Sequence, residues 1–199
     1  MEGKVSVDDR AARVIAELRA ADSEQRRQGL PSEQRTRNLD EETARYLYLL
    51  VRAARPRQIV EIGSSNGLST IWLALAARDH GGRVTGTELL AERAEEANRN
   101  LRAAGLDGVA EVVPGDARET LARLAGPFDL VFLDAEKDDY SAHFAAFFPK
   151  VAPGGLIVTD NVTSHDCTAY QAMLRARDDV ETVTLTLERG LEFTVKRSL

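Results

Sequence analysis

Asp134 and the pair Asp160-Asn161 each close an apolar run, Phe128–Asp134 (FDLVFLD) and Leu156–Asp160 (LIVTD). Such runs read as buried parallel strands, and if the two strands are neighbours their ends lie about 5 Å apart. Two ionised carboxylates that close repel each other, so one takes a proton or a cation joins them. Two carboxylates and an amide oxygen, with room for water and substrate, describe a site for Mg²⁺ or a similar hard divalent ion. The alternative is that Asp160-Asn161 is only a helix-capping turn. Lys137, three residues beyond Asp134, is one of four lysines in a chain with 26 Lys and Arg. A surface position accounts for it equally well. Beside a divalent cation, however, an amine loses its preference for the charged form, as a general base requires.

These residues need a scaffold that gathers strand ends. Its centre is Arg57–Ala77, where the apolar run Ile59–Ile62 meets Gly63-Ser64-Ser65-Asn66-Gly67 and then helical spacing from Leu68 to Ala77. Strand, glycine turn and helix point backbone N–H groups above the strand's carboxyl end, and the glycines allow close approach there. Around it, Arg83–Glu88, Val109–Val113, Phe128–Asp134 and Leu156–Asp160 read as strands. Ala91–Ala104, Asp116–Leu124, Tyr140–Phe148 and Thr168–Arg177 read as helices. Val180–Leu187 and Leu191–Lys196 form a closing hairpin across Glu188-Arg189-Gly190. The rhythm predicts an α/β fold, a doubly wound, mostly parallel seven-stranded sheet with an antiparallel last strand. Two N-terminal helices precede it, Val7–Ala21 and Leu39–Ala54, joined by Ser23–Arg37 as a connector or a mobile flap over the site. The expected organisation is one domain over residues 1–199, with a helical segment 1–54 and a cofactor-binding core 55–199.

In such sheets ligands bind outside the strands' carboxyl ends. That rule selects Gly63–Gly67, Glu88, Gly115-Asp116, Asp134 and Asp160-Asn161. A carboxylate ending the second strand suits a ribose diol, against the simpler reading of a solvated acid. Asp116 faces an adenine amine or merely caps a helix. Several nucleotides remain open, but the patterns G-x-x-x-x-G-K-[ST] and G-x-G-x-x-G are both absent, which favours a ligand with adenosine and no pyrophosphate, of which S-adenosylmethionine is the obvious one.

Composition limits the alternatives. In 199 residues the formal charge is −6 and no basic face dominates, so nucleic acid is not an expected partner. No apolar run reaches the ~20 residues of a membrane helix, and Met1–Arg10 is too polar for a signal peptide, so a cytoplasmic location is expected. One cysteine, Cys167, excludes an intramolecular disulfide, and His80, His143 and His165 are too dispersed for a His-rich zinc site.

With these residues in view, the sequence from about Arg37 to Lys196 resembles the cation-dependent O-methyltransferases, the group of catechol and caffeoyl-CoA methyltransferases. Its motifs are Val60-Glu61-Ile62-Gly63 with Gly67-Leu68-Ser69, then Glu88, Gly115-Asp116-Ala117, Phe132–Lys137 with Tyr140, and Gly154-Gly155 leading to Asp160-Asn161-Val162. The resemblance implies a Rossmann-like methyltransferase fold. Gly63, Ser69 and the backbone between them would hold the methionine part of S-adenosylmethionine, Glu88 its ribose, and Asp116-Ala117 its adenine. The cofactor-contacting set extends to Glu61, Ser64, Ser65, Gly67, Leu89, Gly115 and Asp134. Asp134, Asp160 and Asn161 become ligands of Mg²⁺ or another divalent ion, Lys137 and Asp134 the catalytic pair, and Asn38 and His165 candidate acceptor contacts. The implied reaction is methyl transfer to a hydroxyl of a small aromatic, catechol-like acceptor by a homodimer. A metal-independent small-molecule methyltransferase and a non-catalytic S-adenosylmethionine-binding protein are the alternatives. The chain departs from the family at Val183, aligned with a carboxylate that meets the acceptor's second hydroxyl, and at Arg189-Gly190-Leu191-Glu192, where an acid usually precedes the glycine.

Overall fold

The apolar runs form seven strands: β1 Gln58–Ile62, β2 Arg83–Glu88, β3 Ala110–Pro114, β4 Phe128–Leu133, β5 Val151–Thr159, β6 Val180–Leu185 and β7 Leu191–Lys196. They make one sheet in the order β3-β2-β1-β4-β5-β7-β6. The first five strands run parallel, and β7 lies antiparallel between β5 and β6. The computed structural model describes residues 8–198 of the chain. Strand order reverses at β1, whose neighbours are β2 and β4, and the crevice above that reversal is where ligands of such sheets bind.

Among the described residues seven α-helices flank the sheet: α1 Asp9–Arg27, α2 Glu41–Ala54, α3 Leu68–Arg78, α4 Ala91–Ala104, α5 Ala117–Arg123, α6 Tyr140–Phe147 and α7 Thr168–Arg175. One apolar core joins α1 through α4 to the sheet, through residues such as Ile15, Leu47, Ile71 and Leu101. A second joins α5 through α7 to the other face, through Leu121, Phe144, Phe147 and Leu174. In β1, Ile59 belongs to the first core and Val60 and Ile62 to the second, as strand alternation requires. Helix α3 is buried from Leu68 to Ala77, which is why its sequence carries no polar stripe. Among the described residues no helix is long and apolar enough to cross a membrane.

Two boundaries differ from the expected ones by more than two residues. Helix α1 continues through Ser23–Arg27, where Asp22 with Arg26 at 2.7 Å and Glu24 with Arg27 at 2.6 Å support turns that bury little. The expected start of that helix at Val7 lies outside the described residues. Strand β5 begins at Val151 rather than Leu156, because Phe128 pairs with Val151 and the register then shifts before Leu130 meets Leu156. The expected flap is a fastened strap: Thr36 N–H donates to Gln25 Oε1 at 2.9 Å, Asn38 Nδ2 to the Leu18 carbonyl at 2.9 Å, and Ser65 Oγ to the Thr36 carbonyl at 2.8 Å.

The glycine turn owes its composition to the protein itself. Gly63 has φ +93°, and a Cβ there would lie 2.4 Å from the carbonyl oxygen of Asp134. The Gly63 and Ser64 N–H groups both donate to the Thr87 carbonyl at 3.0 Å, so the turn also stitches β1 to β2. Gly67 caps α3 at φ +87°, where a Cβ would press on Ala97 of α4 at 3.0 Å. Both glycines therefore admit neighbouring chain, a second reason for their composition beside the ligand approach expected from the sequence.

Two stability outcomes follow from this packing. Phe147→Ala removes a fully buried ring from the second core and is expected to cost roughly 3–5 kcal/mol in urea unfolding; a loss below about 1 kcal/mol would contradict the assignment of that core. Gly63→Ala is expected to lower the thermal midpoint, because it combines a left-handed residue with a backbone collision; an unchanged midpoint would mean that the two loops are free to separate.

Candidate functional site

A cavity of about 700 Å³ opens at the carboxyl ends of the parallel strands. Its volume lies within the roughly 300–1,000 Å³ of small-molecule sites. Loops after β1 to β5 all contribute to its wall, and the strap from Arg35 to Asp40 and the β6–β7 turn complete it.

At one end stands Glu88, the last residue of β2 and only 8% exposed. Its Oε2 accepts from Ser65 N–H at 2.8 Å and its Oε1 from Leu90 N–H at 3.0 Å. Two backbone donors orient the carboxylate and leave lone pairs for a diol. Leu89 and Leu90, both largely exposed, present apolar side chains beside it. Gly115, Asp116 and Ala117 line the adjoining wall. The Asp116 carboxylate caps α5 through Arg118 N–H at 2.8 Å and is gripped by the Arg118 guanidinium, which holds its pKa down at about 2. Its capping role is thus realised.

At the other end, the pairing of Leu133 with Thr159 brings Asp134 and Asp160 to the same wall. Lys137 Nζ donates to Asp134 Oδ1 at 3.0 Å and to the Ala135 carbonyl at 2.9 Å, and lies 5.4 Å above the Tyr140 ring. Asp160 is 2% exposed, and its Oδ1 accepts from Asn161 N–H at 2.8 Å. Burial, reinforced by the charge of Asp134, pushes the Asp160 carboxyl up to about 8. Burial also raises Asp134, opposed by the ammonium of Lys137. Tyr140 O–H donates to the Asp160 backbone carbonyl at 2.8 Å and so braces the end of β5. Asn161 adopts φ +63°, a conformation asparagine tolerates better than most residues, and lines the cavity 8% exposed.

Not every expected contact reaches the cavity. Glu61 is fully buried beneath the glycine turn, where it accepts from the hydroxyls of Ser64, at 2.6 Å, and Thr70. Burial raises its pKa, and it acts as an internal brace for the turn. Gly67 packs on α4. Ser64 and Ser69 line only a small adjoining crevice, whereas Gly63 and Ser65 reach the main cavity. Asn38 lines it too, but its amide nitrogen is spent on α1. His165 lies exposed at the rim with Nδ1 3.0 Å from Ser164 Oγ. Val183, half exposed on β6 opposite Phe193, is outside the cavity.

Other wall residues were not among the expected contacts, although Arg37 opens the stretch of family resemblance and Arg189 stands at one of its departures. His143 of α6 lines the cavity 7% exposed, with Nδ1 lacking a hydrogen-bond partner, and burial lowers its pKa. Arg37, 2.6 Å from Glu136, and Arg189 stand at the same rim. Spacing cannot reveal such contacts, because each arises where separate elements converge.

Comparison with known proteins fits this arrangement. A family model described as a methyltransferase domain matches residues 60–162, just over half of the chain. The catechol O-methyltransferase of Mycobacterium tuberculosis is 44% identical over 119 residues, which cover 59% of this chain and 54% of that protein. The chain thus spans about half the length of the curated relatives it matches. The crystal structure of cofactor-bound Rv0187 from MTB superposes with a TM-score of 0.81 at 32% identity, covering 96% of this chain and 92% of that one. The O-methyltransferase TomG from Streptomyces achromogenes, solved in complex with SAM, does so with a TM-score of 0.79 at 28% identity, covering 96% and 91%. The resemblance read from the motifs agrees with these relatives, and the chain belongs to the methyltransferase-domain family.

Proposed function

We propose that the chain is an S-adenosylmethionine-dependent, divalent-cation-dependent O-methyltransferase acting on a small aromatic vicinal diol. One observation carries the reading: a single cavity holds a backbone-anchored carboxylate suited to ribose at one end and, at the other, two acids, an amide and a lysine on adjacent strand ends. The relatives add support, since one is named a catechol O-methyltransferase and another was solved with SAM.

The donor set fits a hard cation. Among the described residues no three His, Cys, Asp or Glu side chains form a ligand cluster, so the candidate ligands are two carboxylates and one amide. Oxygen donors of this kind suit Mg²⁺, which keeps several waters. Both carboxyls are pushed toward the neutral form by burial, a cost that a bound cation offsets.

S-adenosylmethionine, when bound, supplies a methyl group activated by a sulfonium. Asp134, Asp160 and Asn161 would hold a divalent ion, whose positive charge would acidify an aromatic hydroxyl, a poor nucleophile at neutral pH with its ordinary pKa of about 10. Glu88 orients the ribose through its two anchored oxygens. Lys137 in its neutral form takes the hydroxyl proton at Nζ, while its ammonium form is the one that donates to Asp134 and to the Ala135 carbonyl. The strap, fastened to α1 and to the glycine turn, covers the cavity and limits the entry of water.

With S-adenosylmethionine, Mg²⁺ and a catechol, product formation is expected to fall on the order of 100-fold or more with a chelator or in Asp160→Ala, the several kcal/mol supplied by a cation at a developing oxyanion. Full activity in chelator would favour the metal-independent reading. Saturable S-adenosylmethionine binding without turnover across a catechol panel would favour the non-catalytic one.

In chelator, Asp160 titrates near 8 in the folded chain, against a reference value of 3.8. Between those values the folded state keeps a proton that the unfolded chain has released. Urea midpoints are therefore expected to fall as pH rises from about 4 to 8, and Mg²⁺ is expected to reduce that slope. Identical slopes in chelator and in Mg²⁺ would count against cation binding at the pair.

A further inference from the structure

The cations around the cavity are mostly spoken for. Arg26 pairs with Asp22, Arg37 with Glu136, Arg118 with Asp116 and Lys137 with Asp134. Arg35 and Arg189 differ: both line the cavity, and among the described residues neither guanidinium makes a hydrogen bond or ion pair, but of the two only Arg189 is among the charges felt by Asp134. There it favours the ionised carboxylate.

The position of Arg189 is built into the fold. Thr163 N–H donates to the Arg189 carbonyl at 3.0 Å, and Val162 N–H to the Gly190 carbonyl at 3.1 Å. These bonds tie the β6–β7 turn to the segment that directly follows Asp160-Asn161. Gly190, at φ +81°, lies so close that a Cβ would be 2.3 Å from Thr163 Cγ2. A side chain larger than hydrogen at residue 190 would hold the turn away. The turn thus sets an unengaged guanidinium within reach of Asp134, at the candidate metal end of the cavity.

We infer that Arg189 selects acceptors bearing a carboxylate, so that the substrate class is an aromatic vicinal diol with an anionic ring substituent. This inference rests on the methyltransferase reading of the same cavity. A guanidinium presents two parallel N–H donors that match a carboxylate. One guanidinium matches one negative charge. A dianionic phosphate would carry one charge more than the guanidinium matches and would be repelled by the exposed acids Asp138 and Asp139, which line the same cavity.

The test compares 3,4-dihydroxybenzoate with its neutral methyl ester as acceptors for the full chain with S-adenosylmethionine and Mg²⁺, in wild type, Arg189→Ala and Arg189→Lys. Taking the ratio of kcat/KM for the two acceptors, and then its change between variants, cancels their different hydroxyl acidities. Arg189→Ala is expected to lower the acid-to-ester ratio on the order of 10-fold or more, chiefly through KM of the acid, with partial recovery in Arg189→Lys. Calorimetric titration of the acid into protein with S-adenosylhomocysteine and Mg²⁺ reads the same preference without turnover. A ratio that moves less than about twofold, with both acceptors methylated, overturns the role of Arg189 and leaves the methyltransferase reading standing. Failure of both acceptors to bind and to react overturns both.

Discussion

Two carboxylates are held out of water at the ends of neighbouring strands, and much of the cavity follows from that constraint. The parallel register that pairs Leu133 with Thr159 leaves Asp134 and Asp160 no independent places. Each strand must bury its apolar body against helices on both faces, so the acids that terminate them are drawn to the edge of the core. Asp160 is almost fully enclosed there, and its carboxyl resists ionisation for that reason. Lys137 offsets part of the penalty at Asp134, and the Asn161 N–H part of it at Asp160. Such an arrangement is costly as packing alone, which is the physical ground for the cation proposed there.

The opposite end of the cavity solves an easier electrostatic problem. Glu88 is also nearly buried, but backbone N–H groups of Ser65 and Leu90 meet its two oxygens. Those donors exist because the glycine turn after β1 folds back toward β2, where Gly63 and Ser64 share the Thr87 carbonyl. Glu61 lies beneath the same turn and bonds the Ser64 and Thr70 hydroxyls, so one buried acid braces the loop that orients another. The two ends therefore differ in kind: one carboxylate is preorganised by backbone dipoles, while the other end sets two acids beside a lysine.

The elements that close the cavity come from the two ends of the chain. The strap between α1 and α2 is fastened to Gln25, Leu18 and Ser65, which places Arg37 beside Glu136. The β6–β7 turn is fastened to the segment after Asn161, which places Arg189. Both are loops carried on packed helices and strands, the usual division between a scaffold that positions and loops that discriminate.

Much of this was legible in the sequence because it is local. The apolar runs, the glycine turn and the acids at strand ends announce an α/β sheet and the edge where a ligand sits, since strand period and connection rules act on contiguous residues. Glu88, Asp134, Lys137, Asp160 and Asn161 lie where that logic puts them. What only the tertiary structure decided depends on contacts between distant segments. Glu61 is a motif residue that packing turns inward, and the two glycines also admit the close approach of Asp134 and Ala97. Val183 is carried outside the cavity by the edge strand, while His143 and Arg189, which no spacing singled out as cavity residues, are brought into its wall. Periodicity specifies the face of an element, and only the packing of elements specifies what that face meets.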